Sequence, residues 1–152
     1  MDNVPFLNRS EELARLETLF NTPEGGLCVL WGRRRLGKTR LLLEWCARRQ
    51  GIYTVADQSS EKIQRKVLSI AFQERFPGFA DVEYPDWHSF LSRITSEARH
   101  SQWRGPFVFD EFPYLAEQAP ELPNIFQRWI DHEVRRNGLV VALAGSSQRM
   151  MR

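Results

Sequence analysis

Four short segments rich in apolar and β-branched residues are spaced along the chain and predict strands. They lie at residues 27–31, 52–56, 106–109 and 139–144. The first segment is apolar at every position, which is typical of a strand buried on both faces. The third leads directly into two acidic residues, and the fourth into a Gly-Ser-Ser sequence.

Between these segments, apolar residues recur at helical spacing. An N-terminal helix is predicted over residues 10–20, and a second from Thr39 to a stop at Gly51. Three further stripes of apolar residues predict helices, and Pro77-Gly78 ends the first stripe while Gly138 ends the last. The stripes are Ile63, Val67, Ile70 and Ala71; Trp87, Phe90, Leu91, Ile94 and Ala98; and Leu122, Ile125, Phe126, Trp129, Ile130 and Val134. Helices that alternate with strands predict an α/β fold, a parallel sheet with helices on both faces that binds ligands at the carboxyl ends of its strands.

Composition limits the classes of protein that remain. The 152 residues suffice for one domain, and 42% hydrophobic with 26% charged residues excludes disordered and fibrous chains. The net charge of +2 gives no support for a nucleic-acid partner.

The N-terminus has no secretory signal and no apolar run approaches a membrane span, so we expect a cytoplasmic protein with no membrane partner. Cys28 and Cys46 lie in apolar stretches and are expected to be reduced, structural thiols.

The segment between the first strand and the second helix carries a phosphate-binding pattern. Gly32 and Gly37-Lys38-Thr39 fit Gly, four residues, Gly-Lys-Ser/Thr, in the strand-to-helix context that the pattern requires. The glycines let backbone N–H groups converge on phosphates, and the helix N-terminus adds positive potential. Lys38 would reach the β and γ phosphates, while the Thr39 hydroxyl would bind Mg²⁺.

The remaining residues of this segment are harder to assign. Phosphate or partner contact and a solvated turn both stay open for the three arginines. The nucleotide-binding positions we predict are Gly32, Arg33, Arg34, Arg35, Leu36, Gly37, Lys38, Thr39 and Arg40.

Acidic and hydroxyl residues follow the third and fourth strands. Asp110 ends a buried strand about 70 residues after the loop and is predicted to bind the metal ion. Glu111 is then the candidate general base for the attacking water, with a solvated strand-end acid as the alternative. Ser146 or Ser147 could meet that water or the γ phosphate, although serines are also ordinary turn residues. The predicted catalytic residues are therefore Glu111, Lys38, Ser146 and Ser147.

Four segments together resemble the prokaryotic ATPase family that is abundant in archaea and related to the AAA+ and STAND ATPases. The resemblance implies a three-layer P-loop NTPase that binds ATP and Mg²⁺. It also implies that residues 1–25 lie on the adenine side, with Arg9 in the nucleotide site, and that the Ser pair forms sensor one. Asn8 departs from the Gly that is commoner before that arginine. The segments are FLNRSEEL at 6–13, GRRRLGKT at 32–39, FDEF at 109–112 and AGSS at 144–147.

Length is the other departure from this family. Relatives continue into a fifth strand, a helical lid and often a C-terminal domain, so we expect residues 27–152 to be a core truncated after the fourth strand. In the usual order five-one-four-three-two, strand one would then be an exposed edge, open to a second copy or a partner chain.

The function we expect is weak Mg²⁺-dependent ATP hydrolysis. A nucleotide-binding switch, an inert fragment and DNA association are the alternatives.

Overall fold

A computed structural model describes residues 9–32 and 37–146. Its strands are β1 (Gly26–Trp31), β2 (Ile52–Val55), β3 (Phe107–Asp110) and β4 (Val140–Gly145). Its helices are α1 (Arg9–Asn21), α2 (Lys38–Arg49), α3 (Glu61–Gln73), α4 (Trp87–Ser101), α5 (Phe112–Gln118) and α6 (Leu122–Trp129), with a 3₁₀ turn at Phe79–Asp81 and a π-helical turn at Ile130–Val134.

The four strands form one parallel sheet in the order β1-β4-β3-β2. This confirms the α/β class and the predicted place of β1 at an edge. The prediction that β1 is buried on both faces is wrong, because the side chain of Val29 is 50% exposed. An apolar run alone cannot distinguish an interior strand from an edge strand whose outer face lacks a covering helix.

Each face of the sheet carries its own hydrophobic layer. On one face α1 and α2 pack against Val108, Val140, Ala142 and Ala144. On the other, α3, α4 and α6 bury an aromatic cluster against Phe107 and Phe109. Adjacent residues of one strand thus serve opposite layers, as the alternation of strand side chains requires.

Helix α3 is oriented differently from what its most obvious apolar stripe suggests. Ile63, Val67 and Ile70 are 54%, 51% and 60% exposed, whereas Leu68 and Phe72 on another face are buried. Phe72 stacks on Phe79 with ring centroids 5.1 Å apart, so the aromatic cluster determines which face turns inward. The predicted helix is confirmed, but three of the four residues of the stripe that predicted it face outward, while Ala71 packs against the core.

Arg104 ties together the loops at the amino ends of the strands. Its guanidinium donates to the carbonyl oxygens of Phe20 (2.6 Å), Thr22 (2.6 Å) and Gly138 (2.8 Å). Phe20 and Thr22 lie at and just beyond the end of α1, whereas Gly138 precedes β4, so one side chain joins segments far apart in sequence. The half-buried Arg104 is therefore a structural clamp.

Both cysteines are free in the structure. Burial raises the pKa of Cys46 to about 12 and that of Cys28 to about 11. Cys46 is buried, whereas Cys28 on the edge strand is half-buried. No helix in the described ranges is long and apolar enough to cross a membrane.

Candidate functional site

The N-terminus of α2 faces the carboxyl edge of the sheet. Gly37 is its N-cap at φ 76°, a left-handed conformation that favours glycine, and its carbonyl oxygen accepts a hydrogen bond from the Leu41 N–H at 3.0 Å. On the strand side, the Gly32 N–H donates to the Gly145 carbonyl at 3.2 Å. The chain thus leaves the end of β1 and re-enters as a helix whose unpaired N–H groups are available to an anion.

Asp110 is the centre of the polar network at this edge. Its Oδ1 accepts from Lys38 Nζ at 2.9 Å, and its Oδ2 accepts from Thr39 Oγ1 at 3.1 Å. Lys38 is only 6% exposed and Asp110 only 1%. Residues 72 positions apart in sequence therefore form a buried ion pair where α2 meets the end of β3.

Tyr53, on the neighbouring strand β2, completes this network, although it lies in none of the motifs that predicted the site. Its phenol hydroxyl donates to Asp110 Oδ2. Burial acts to raise the pKa of Asp110, but the hydrogen bonds from Tyr53 and Lys38 outweigh it and hold that pKa below its ordinary value. Burial is the main cause that raises the pKa of Tyr53, and the hydrogen bond to Asp110 is the second cause.

Glu111 follows Asp110 in a left-handed conformation at φ 56°, which is uncommon for a residue with a side chain. Its own N–H donates to Asp110 Oδ1 at 2.9 Å. Its carboxylate accepts from Ser146 Oγ, which lies 3.0 Å from Oε1 and 3.2 Å from Oε2. The sharp turn thus brings the Glu111 carboxylate to Ser146 at the end of β4.

Close packing supports this turn from behind. A Cβ atom at position 145 would lie 2.9 Å from Pro113 Cδ and 3.3 Å from Trp31 Cζ3. Gly145 therefore lets the start of α5 and the end of β1 approach β4 closely. Ser146, one residue later, is held within reach of Glu111.

Two oxygen ligands converge at the mouth of the site. A hydroxyl and a carboxylate oxygen, from Thr39 and Asp110, form a hard donor set that fits Mg²⁺, which keeps several waters and is held by few protein groups. No cluster of three or more His, Cys, Asp or Glu suited to a metal occurs among the described residues. The donors present therefore fit an ion shared with phosphate oxygens better than an all-protein metal centre.

The structure places the other predicted site residues as follows. Arg40 is exposed on the first turn of α2, and Arg9 begins α1. Five predicted positions lie outside the described residues: Arg33, Arg34, Arg35, Leu36 and Ser147.

The sequence matches one family model and is similar to two proteins of Methanocaldococcus jannaschii. A family model described as an ATPase domain predominantly from Archaea matches residues 6–152. The uncharacterized protein MJECL04 of Methanocaldococcus jannaschii is 27% identical over 148 residues, which cover 96% of this chain and 30% of the relative. A 39-residue stretch is 51% identical to the uncharacterized ATP-binding protein MJ0423 of the same organism and covers 26% of this chain and 66% of that protein.

Among solved structures, the Walker-type ATPase PABY2304 of Pyrococcus abyssi aligns with a TM-score of 0.73 at 22% identity. The alignment covers 94% of this chain and 46% of that one. The two chains therefore share a fold, and this chain spans less than half the length of that structure and about a third of MJECL04.

Proposed function

The chain belongs to the family of ATPase domains found predominantly in Archaea, and on that premise we propose that it binds ATP with Mg²⁺ and transfers the γ-phosphoryl group to water. One observation carries the proposal: Lys38 and Thr39, at the N-terminus of α2, converge on the buried carboxylate of Asp110 at 2.9 Å and 3.1 Å. A cation, a hydroxyl and a carboxylate at one helix N-terminus are the groups that a metal-bound polyphosphate requires.

The polyphosphate would lie against the first turn of α2. The N–H groups there and the Lys38 ammonium supply positive potential, and Lys38 would exchange its bond to Asp110 for one to phosphate oxygens. We propose that the loop from Gly32 to Gly37 supplies the remaining N–H donors, and that Arg9 lies on the adenine side.

Thr39 and Asp110 would hold the metal ion. Bound Mg²⁺ supplies neutralisation of the phosphate charge that develops as the phosphoryl group is transferred. Asp110 is suited to this because the hydrogen bonds around it keep its carboxyl ionised in a buried site.

Glu111 would accept a proton from the attacking water. Ser146, which donates to both Glu111 oxygens, would orient that carboxylate. The separation of roles follows from the backbone: Asp110 turns toward α2 while Glu111, in the left-handed conformation, turns toward β4.

Phosphate release measured with Mg²⁺ and ATP tests the proposal in the wild type, Lys38→Ala and Glu111→Gln. We expect measurable turnover in the wild type alone, with ATP binding kept in Glu111→Gln and lost in Lys38→Ala. Equal rates in all three proteins would overturn the assignment.

Nucleotide binding without hydrolysis is the other function that the geometry favours, since Lys38 and Thr39 must change partners when a ligand arrives. A thermal shift with ATP and Mg²⁺ but no phosphate release would assign the chain to this switch class.

A further inference from the structure

Tyr53 belongs to no sequence motif, yet it contacts the most buried acidic group of the site. In the part of the chain that the structure describes, four donors surround the Asp110 carboxylate. Lys38 Nζ and the Glu111 N–H share Oδ1, while Thr39 Oγ1 and the Tyr53 hydroxyl share Oδ2. Each oxygen therefore accepts from one group on α2 and one group elsewhere in the fold.

Ligand binding would move two of these four donors and leave the other two in place. Under the proposed function, on which this inference rests, Lys38 turns to phosphate and Thr39 to the metal ion. Of the donors in the described residues, Asp110 then keeps the Glu111 N–H on Oδ1 and the Tyr53 hydroxyl on Oδ2. At 1% exposure this carboxylate has little access to solvating water, so the donors that remain determine its orientation.

The backbone of β2 holds Tyr53 in position for this task. Residues Ile52 to Val55 pair in register with Phe107 to Asp110. Beyond both ends of that ladder, the Ile52 N–H donates to the Pro106 carbonyl at 2.9 Å and the Ala56 N–H to the Asp110 carbonyl at 3.0 Å. The Tyr53 ring packs against the layer formed by α1 and α2. The phenol thus approaches Asp110 from a strand that does not change partners when α2 engages a ligand.

We propose that Tyr53 is a positioning residue for the metal site. By occupying one lone-pair direction of Asp110 Oδ2, the phenol keeps the other directed at α2, where the Thr39 hydroxyl now lies and where the cation would bind. Metal ligands are commonly oriented in this way by a hydrogen bond from a group that does not itself touch the metal.

The test is Tyr53→Phe, which keeps the ring and removes the hydroxyl. The quantity measured is the metal-dependent gain in ATP affinity, the Kd for ATP in EDTA divided by the Kd in excess Mn²⁺, with Mn²⁺ as the probe ion. We expect this ratio to fall about tenfold or more in Tyr53→Phe, the effect typical of losing such a partner. The Kd in EDTA should stay within about twofold, because Lys38 and the loop, which contact phosphate, are unchanged.

Tyr84→Phe is the matched control. It also removes a buried phenol hydroxyl, one that donates to the Phe79 carbonyl at 2.7 Å beside the aromatic cluster. This variant should keep the wild-type ratio. A wild-type ratio in Tyr53→Phe would overturn the inference, as would an equal fall in both variants or a fall confined to metal-free affinity. A wild type that binds no ATP would instead overturn the proposed function, and this inference with it.

Discussion

The two ends of the sheet each hold a basic side chain in a network that spans several segments, but the partners differ in kind. At the amino end, Arg104 donates to three backbone carbonyls. At the carboxyl end, Lys38 donates to one carboxylate, which other side chains share. Backbone carbonyls cannot leave without unfolding the loops that carry them, whereas Lys38 can exchange Asp110 for another anion by rotating its side chain.

This difference separates a structural cation from one suited to a ligand. The carbonyl oxygens that Arg104 contacts carry only partial charge. The Arg104 network therefore contains no anionic partner that a ligand would replace. The Lys38 network holds full opposite charges in a buried place, where the attraction repays the desolvation only with good geometry. An incoming polyphosphate would offer more negative charge than one carboxylate, which is why we propose that exchange occurs at this end.

The largest effect is expected from Lys38→Met. Loss of the cation should reduce ATP turnover about 1000-fold, the scale for removing a group that stabilises transition-state charge. Unfolding should also become easier by about 3 kcal/mol, because the buried Asp110 carboxyl loses its counter-ion and the hydrogen bond from Lys38. Adding Asp110→Asn should restore most of that stability, as read from denaturant titration, and none of the turnover. Recovery of turnover in the double variant would contradict the assignment of Lys38.

The converse change is Arg104→Met, at the amino end. Three carbonyls lose a charged donor, which should lower the free energy of unfolding by about 2–4 kcal/mol, since Arg104 is half-buried. The Kd for ATP of the folded protein should not change. In the control Arg48→Met, the lost partner is Glu44 on the same helix, the two side chains are 55% and 35% exposed, and we expect less than about 0.5 kcal/mol. If Arg104→Met weakened ATP binding in folded protein, the two ends would not be independent.

A smaller effect is expected from Asp86→Ala, which tests a carboxylate that belongs to neither network. Asp86 caps α4, and hydrogen bonds from the Ser89 hydroxyl and N–H lower its pKa. The substitution should cost about 1 kcal/mol at pH 7. Because the folded-state pKa is below the unfolded value of about 3.9, this contribution is present above that pH and is lost as pH falls through the folded-state pKa. The difference in unfolding free energy between the two proteins should therefore narrow as the pH is lowered from 7 to 2.5; a constant difference would show that the cap does not depend on ionisation.

Much of the fold follows from local patterns in the sequence. The strands and the glycine-rich turn are each encoded within a few consecutive residues, which is why their positions were predicted. Helix α3 carries two apolar stripes, one with Val67 and one with Phe72, and periodicity gives no preference between them. Only the ring contacts of Phe72 with other elements determine which face is buried. Helix α5, over Phe112–Gln118, was not predicted, because it has only 7 residues and carries Pro113 in its first turn.

The site residues likewise divide into those that local patterns predict and those that only the folded sheet brings together. Lys38, Thr39, Asp110 and Glu111 were selected because each lies in a motif or directly after a strand. Tyr53 could not be selected, since its partner depends on the register between β2 and β3, which is a property of the folded sheet. The contact between Ser146 and Glu111 likewise depends on the left-handed turn at Glu111, which its side chain does not favour.

The packing of Trp31 against Gly145 gives the molecule a built-in optical probe. This half-buried indole ends β1 one residue before the phosphate-binding segment. The emission of an indole responds to nearby charge and hydration, so titration with ATP should change the tryptophan fluorescence. Trp31→Phe should abolish the signal and leave the other four tryptophans as a constant background. Occupancy could thus be followed in real time without a label, and a signal that survived Trp31→Phe would assign it to a more distant chromophore.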